Sequence, residues 1–126
     1  MNNSIKSKSE IVIAAEYPNL TKAISLANKL KKDGHRVIAI FGAQNKENLP
    51  DGIEDKENYD ELLIATLDGS KGSKGNIVQL IKKLFEVIEQ STHTQYPESI
   101  YYLCSNETAL KIKKLAQDNN INSISV

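Results

Sequence analysis

The chain has 126 residues and a mass of 14.0 kDa, and its 16 basic and 16 acidic side chains cancel to no net charge. That length builds one domain with a real core, and 40% hydrophobic with 25% charged residues is the make-up of a folded domain rather than a disordered tail. A neutral chain with a pI near 6.7 has no bulk attraction for nucleic acid or an anionic membrane, so neither is an expected partner.

The one cysteine, Cys104, excludes a disulfide framework and a cysteine-rich zinc or iron–sulfur site within this sequence. Residues 1–9 read as a loose polar leader without a secretory signal, and residues 10–126 as a single domain. Apolar runs such as Ile11 to Ala15 are far too short to span a membrane, and the expected location is cytoplasmic.

In chain order, Ile11-Val12-Ile13-Ala14-Ala15 is a continuous, β-branched apolar run, the pattern of a strand buried on both faces. After Pro18-Asn19, the spacing of Leu20, Ala23, Ile24, Ala27 and Leu30 predicts one face of a helix. Lys29, Lys31 and Lys32 suit its negative dipole end, and Gly34 its stop. Val37 to Phe41 is a second buried strand. The segment from Lys46 to Glu61 is acidic and contains Pro50-Asp51-Gly52, so it reads as a solvated loop with at most a short helical turn. Its carboxylates lack ligand-like periodicity, so no metal site is expected there.

Leu62 to Thr66 is the third strand, followed by a loop with Gly69, Gly72 and Gly75. A long amphipathic helix then runs from Asn76 to about Gln90, burying Ile77, Leu80, Ile81, Leu84, Phe85 and Ile88. Asn76 with Gln79 has the form of a capping box. Ser99 to Cys104 is strand four, Ser105 or Asn106 caps a helix through about Asp118, and Ile121 to Val126 is a last strand.

Strand and helix alternate, with connections too long for hairpins. The expected fold is therefore α/β: a doubly wound, Rossmann-like parallel sheet of five strands in order 3-2-1-4-5, with helices on both faces. Ligands of such sheets bind beyond the carboxyl ends of the strands, beside the switch point in strand order. The segments that matter are therefore 15–19, 42–45, 66–75 and 104–107. In the third of these, the glycines would admit a ligand close to the backbone, and Lys74 beside a helix start would meet an anion. The same glycines also suit a plain crossover loop.

Three blocks carry a family likeness: Gly34-His35-Arg36-Val37, Phe41-Gly42-Ala43-Gln44, and Ile64 to Gly75 with its Thr66-Leu67-Asp68-Gly69-Ser70 run. A fourth is Cys104 followed by Glu107 and Leu110, similar to a Cys-Gly-Pro motif after strand four. In order and spacing the chain resembles, from about Ile11 to Val126, the C-terminal NAD(P)-binding domain of the ferredoxin reductase family. Within that family it resembles the electron-transfer subunits of the dihydroorotate dehydrogenase type. The resemblance implies NAD(P) as a cofactor, framed by Gly42, Thr66, Asp68, Gly69, Ser70, Lys74 and Cys104, with no catalytic residue in this chain. It implies a flavoprotein partner that holds the flavin on a separate β-barrel domain, and it is compatible with a homo-oligomer. No FAD or [2Fe–2S] site is expected here, because the family's flavin sits on the separate β-barrel domain and the sequence stops before the cysteine cluster of the dihydroorotate dehydrogenase type.

The departures are as informative. Where the family has a glycine-rich pyrophosphate turn, this chain reads Ala15-Glu16-Tyr17-Pro18-Asn19. Glu16 sets a negative charge where phosphates would sit, a cost on the order of 1 kcal/mol or more in a partly desolvated cleft. Ser105-Asn106 replaces Gly-Pro, Gln44 stands where arginine is common, and Leu67 where aspartate is common. Two readings follow: a divergent nucleotide-binding component of an electron-transfer oxidoreductase, or a degenerate binding or regulatory module that has lost the dinucleotide. His35 and His93 sit in turn or linker contexts without ligand-spaced carboxylates, and no P-loop pattern or paired acidic phosphoacceptor site occurs.

Overall fold

The structure, a computed structural model, describes residues 10–91 and 95–126; the expected leader at 1–9 and His93 lie outside the described residues. Glu10–Glu16 forms β1, with Ile11, Ile13 and Ala15 packed on one side of the sheet and Val12 and Ala14 on the other. Then follow α1 (Leu20–Lys32), β2 (Arg36–Ala43), β3 (Glu61–Thr66), β4 (Ser73–Lys74), α2 (Ile77–Glu89), β5 (Ser99–Leu103), α3 (Asn106–Asp118) and β6 (Asn122–Ser125).

These strands make one six-stranded sheet ordered β4-β3-β2-β1-β5-β6, with every neighbouring pair parallel. The five expected strands are β1, β2, β3, β5 and β6, and they stand in the predicted order. The addition is β4, a two-residue ribbon paired to Ala65 and Thr66. Ser73 and Lys74 are exposed and polar, so nothing in their hydropathy distinguishes them from loop.

One face of the sheet is covered by α1 through Leu20, Ala23, Ala27 and Leu30. The other face takes α2 and α3, whose Ile77, Ile81, Phe85, Ile88, Ile112 and Ala116 share a core with Val12, Ile38, Ile40 and Ile100. Each fully buried aliphatic side chain there stabilises the fold by about 1.5–3 kcal/mol. The capping box that starts α2 is present: the Asn76 side-chain oxygen accepts the Gln79 N–H at 3.0 Å, and the Gln79 side-chain oxygen accepts the Asn76 N–H at 2.9 Å. Asn76→Ala should cost about 1 kcal/mol, read as a thermal midpoint lower by about 4 °C.

The segment between β2 and β3 differs from expectation. It does contain one helical turn, Lys46–Asn48, and its acidic side chains are exposed. Yet Ile53 and Tyr59 are buried, at 5% and 4% exposure. No helix crosses over between β2 and β3, so these side chains cover the sheet beside α1. Tyr59 meets Phe41 edge-on at 5.6 Å between ring centroids, and its hydroxyl donates to the Ile53 carbonyl at 2.7 Å.

Candidate functional site

The carboxyl ends of the strands carry three separate features: the 66–75 loop, a cleft over β1–β3, and the junction of β1 with β5.

The loop is stitched to itself and to its neighbour. Thr66 is fully buried; its hydroxyl donates to the Lys71 carbonyl at 2.8 Å and accepts the Lys71 N–H at 3.1 Å. The Asp68 carboxylate accepts both the hydroxyl and the N–H of Ser70, at 2.6 and 2.9 Å. Those bonds, the hydroxyl's first, hold the Asp68 carboxyl below its ordinary range. Ser70 Oγ in turn accepts the Lys46 N–H at 2.8 Å, and Lys71 pairs with Glu54 at 2.8 Å. Two backbone bonds complete the seam, Leu67 N–H to Ala43 carbonyl and Asp68 N–H to Gln44 carbonyl, at 3.0 and 3.1 Å.

Glycine is required in this region for close approach of the chain to itself. Gly72 has φ +65°, and a Cβ there would run into the Ile64 carbonyl oxygen on β3. At Gly42 a Cβ would lie 2.7 Å from the Ile77 side chain at the start of α2. The atoms that meet these two glycines belong to β3 and α2.

A cleft of about 350 Å³ opens where β1, β2 and β3 end against the start of α2. Glu16 and Tyr17 form one side, Gly42 to Gln44 the floor, and Leu67 with Gly75 to Ile77 the other side, with Asn48 at the rim. Tyr17 and Leu67 are each 53% exposed, so the mouth has an apolar lip. Among the described residues Glu16 is the one charged side chain in the lining, and no lysine or arginine contributes.

Glu16 also reaches across the switch point. Its Oε1 accepts the Ser105 N–H at 2.9 Å, at the amino end of α3, where Ser105 Oγ caps the Thr108 N–H at 3.2 Å. Burial first, and then the Glu16 charge, push the half-buried Cys104 thiol up to about 11. Cys104 is accordingly a neutral thiol at physiological pH.

The seven expected site residues therefore do not converge. Gly42 lines the cleft. Thr66, Asp68, Gly69 and Ser70 lie in the stitched loop beside it. Lys74 borders a shallower depression with Lys82 and Lys83 on the outer side of α2, and Cys104 one of about 120 Å³ beside β6. Asn48, Asn76 and Ile77 are cleft residues outside the four segments that the sequence singled out, Asn76 having been read only as a helix cap. Ile77 was legible only as core, and Asn48 carries no motif at all.

No protein-family model matches the chain. In sequence it is 21% identical over 113 residues to the probable dihydroorotate dehydrogenase B (NAD(+)) electron transfer subunit of Methanopyrus kandleri. That match takes in 90% of this chain and 40% of the relative, so the chain spans about two fifths of the curated protein's length. Among solved structures, the C-terminal domain of a Pyrococcus furiosus hydrogenase superimposes with a TM-score of 0.70 at 11% identity, over 95% of this chain and 92% of that one. An NADH-dependent reduced ferredoxin-NADP oxidoreductase gives 0.64 at 17% identity, over 92% of this chain and 38% of that one. At these identities the structural matches establish the fold, and the sequence match points the same way. The chain is a Rossmann-like α/β domain, similar in sequence to the electron transfer subunit of a dihydroorotate dehydrogenase and in fold to the hydrogenase and oxidoreductase structures.

Proposed function

We propose that the chain serves as the nicotinamide-nucleotide domain of an electron-transfer oxidoreductase of the dihydroorotate dehydrogenase type, working with a separate flavin-carrying partner. The observation that carries this reading is the cleft of about 350 Å³ at the carboxyl ends of β1–β3, beside the switch point where doubly wound sheets bind their ligands. When bound, the nucleotide supplies the hydride and the partner's flavin receives it; the chain's own residues supply position. In this reading Asp68, beside the cleft, accepts from ribose hydroxyls, and Lys74, which borders the neighbouring depression, meets a phosphate.

The fit is partial. The cleft has the size and mixed polarity for one nucleoside half. The pyrophosphate fits poorly, because the Glu16 carboxylate, held by its bond to the Ser105 amide, lines the cleft and no cationic side chain among the described residues does. That bond favours a second reading, in which the domain has given up dinucleotides and acts as a binding or regulatory module. Calorimetric titration of NADH, NADPH and ADP-ribose into the purified chain separates the two. The first reading expects weak saturable binding, with a Kd of about 1 mM. No heat at several millimolar ligand would leave the second.

A further inference from the structure

We propose that the cleft over β1–β3 takes an uncharged, nucleoside-like heterocycle, and that Glu16 is the residue that turns away its phosphorylated forms. The proposal rests on the reading of this edge as a nucleotide-type site and goes beyond it by assigning the ligand's charge class.

Three observations support it. First, the lip is made of a half-exposed phenol ring, Tyr17, and a half-exposed Leu67, with Ile77 behind them. A flat aromatic ring gains contact area against such surfaces without needing a counter-charge. Second, the polar groups of the lining are mainly amides. The side chains of Gln44 and Asn48 have no hydrogen-bond partner among the described residues, and each offers a donor and an acceptor to a heterocycle's edge. Third, the charge balance in the lining is negative, with Glu16 and no cation. Its carboxylate is also fixed: the Ser105 N–H holds Oε1 at 2.9 Å, so it is not free to swing away from an incoming phosphate. An anion entering here meets a fixed like charge and no cation among the described residues, whereas a neutral ring needs no counter-charge.

The test is calorimetry on the full chain with adenosine, ADP and NADH, repeated on Glu16→Gln. Glutamine keeps an oxygen for the Ser105 amide and removes only the charge. In the native protein adenosine should bind at least tenfold more tightly than ADP. In E16Q the ADP affinity should rise about tenfold while adenosine stays within about twofold, since one like-charge contact in a partly desolvated site is worth about that factor. Absence of adenosine binding at millimolar concentration, or ADP binding as tightly as adenosine to the native chain, overturns the proposal and needs no variant. NADH bound equally by native and E16Q protein also overturns it, while leaving the oxidoreductase reading intact. Adenosine binding with the tenfold gain for ADP in E16Q, but no NADH binding in either protein, does the reverse, supporting the charge filter and removing the dinucleotide reading.

Discussion

Replacing Gly72 with alanine should destabilise the domain by about 3 kcal/mol. Two costs combine. The residue has φ +65°, a conformation that costs an L side chain about 1 kcal/mol or more. The new Cβ also runs into the Ile64 carbonyl oxygen and comes within 3.1 Å of the Ile64 Cβ, so the backbone rather than a side-chain tip must give way. Relief means pulling the loop off β3 and breaking the short β4 pairing, an overpacking penalty of about 1–3 kcal/mol. In urea denaturation the midpoint should fall with an unchanged slope. Gly34→Ala is the control. Gly34 has φ +98°, but nothing lies within 4 Å of where its Cβ would stand, so it carries the conformational cost alone, about 1 kcal/mol. Equal losses in the two variants would mean that the Ile64 contact is not what requires glycine at 72.

Cys104 should react with iodoacetamide at pH 8 about a hundredfold more slowly than an unperturbed thiol. The thiolate is the reactive species, and a shift from the ordinary 9.0 to about 11 lowers its fraction at pH 8 by about that factor. The rate should climb about tenfold per pH unit until about 11, and E16Q should raise it by removing the smaller of the two causes. Stability moves with the same proton. The folded state holds it more tightly than the unfolded one, so its contribution is complete below about 9 and is lost as pH rises from there through 11. A native-state alkylation rate at pH 8 matching that of a small-molecule thiol would show that the thiol is neither desolvated nor influenced by Glu16.

The parts of this molecule that were legible in its sequence are those set by local periodicity. Ile11 to Ala15 and Val37 to Phe41 announce two-sided burial because each residue must face one core or the other. Asn76 and Gln79 announce a helix start because their partners are three residues apart. The site was less legible because its determinants are distant in sequence. Glu16 finds its partner Ser105 89 residues away, and from sequence its charge could be placed near the strand ends but not on the amide of α3. The glycines of 66–75 were equally suited to a ligand and to the chain. At Gly72 the approach depends on a carbonyl eight residues earlier, on the neighbouring strand. Ile53 and Tyr59 are apolar residues scattered through an acidic stretch, with no periodicity to mark them as core. Only the missing crossover helix gives them a sheet to cover.

That missing helix also changes how the edge of the sheet is held. A helix between β2 and β3 would brace itself through its own backbone ladder. Here the 44–60 segment leans instead on the loop after β3, through Lys46 to Ser70, Glu54 to Lys71, and the carbonyls of Ala43 and Gln44. The two loops share one boundary, and both reach the cleft, through Gln44 and Asn48 from one and Leu67 and Gly75 from the other. A change of length in the acidic stretch would re-aim Leu67 across the mouth of the pocket and carry Asn48 with it, so the geometry of the mouth is inherited from a segment that holds no site motif.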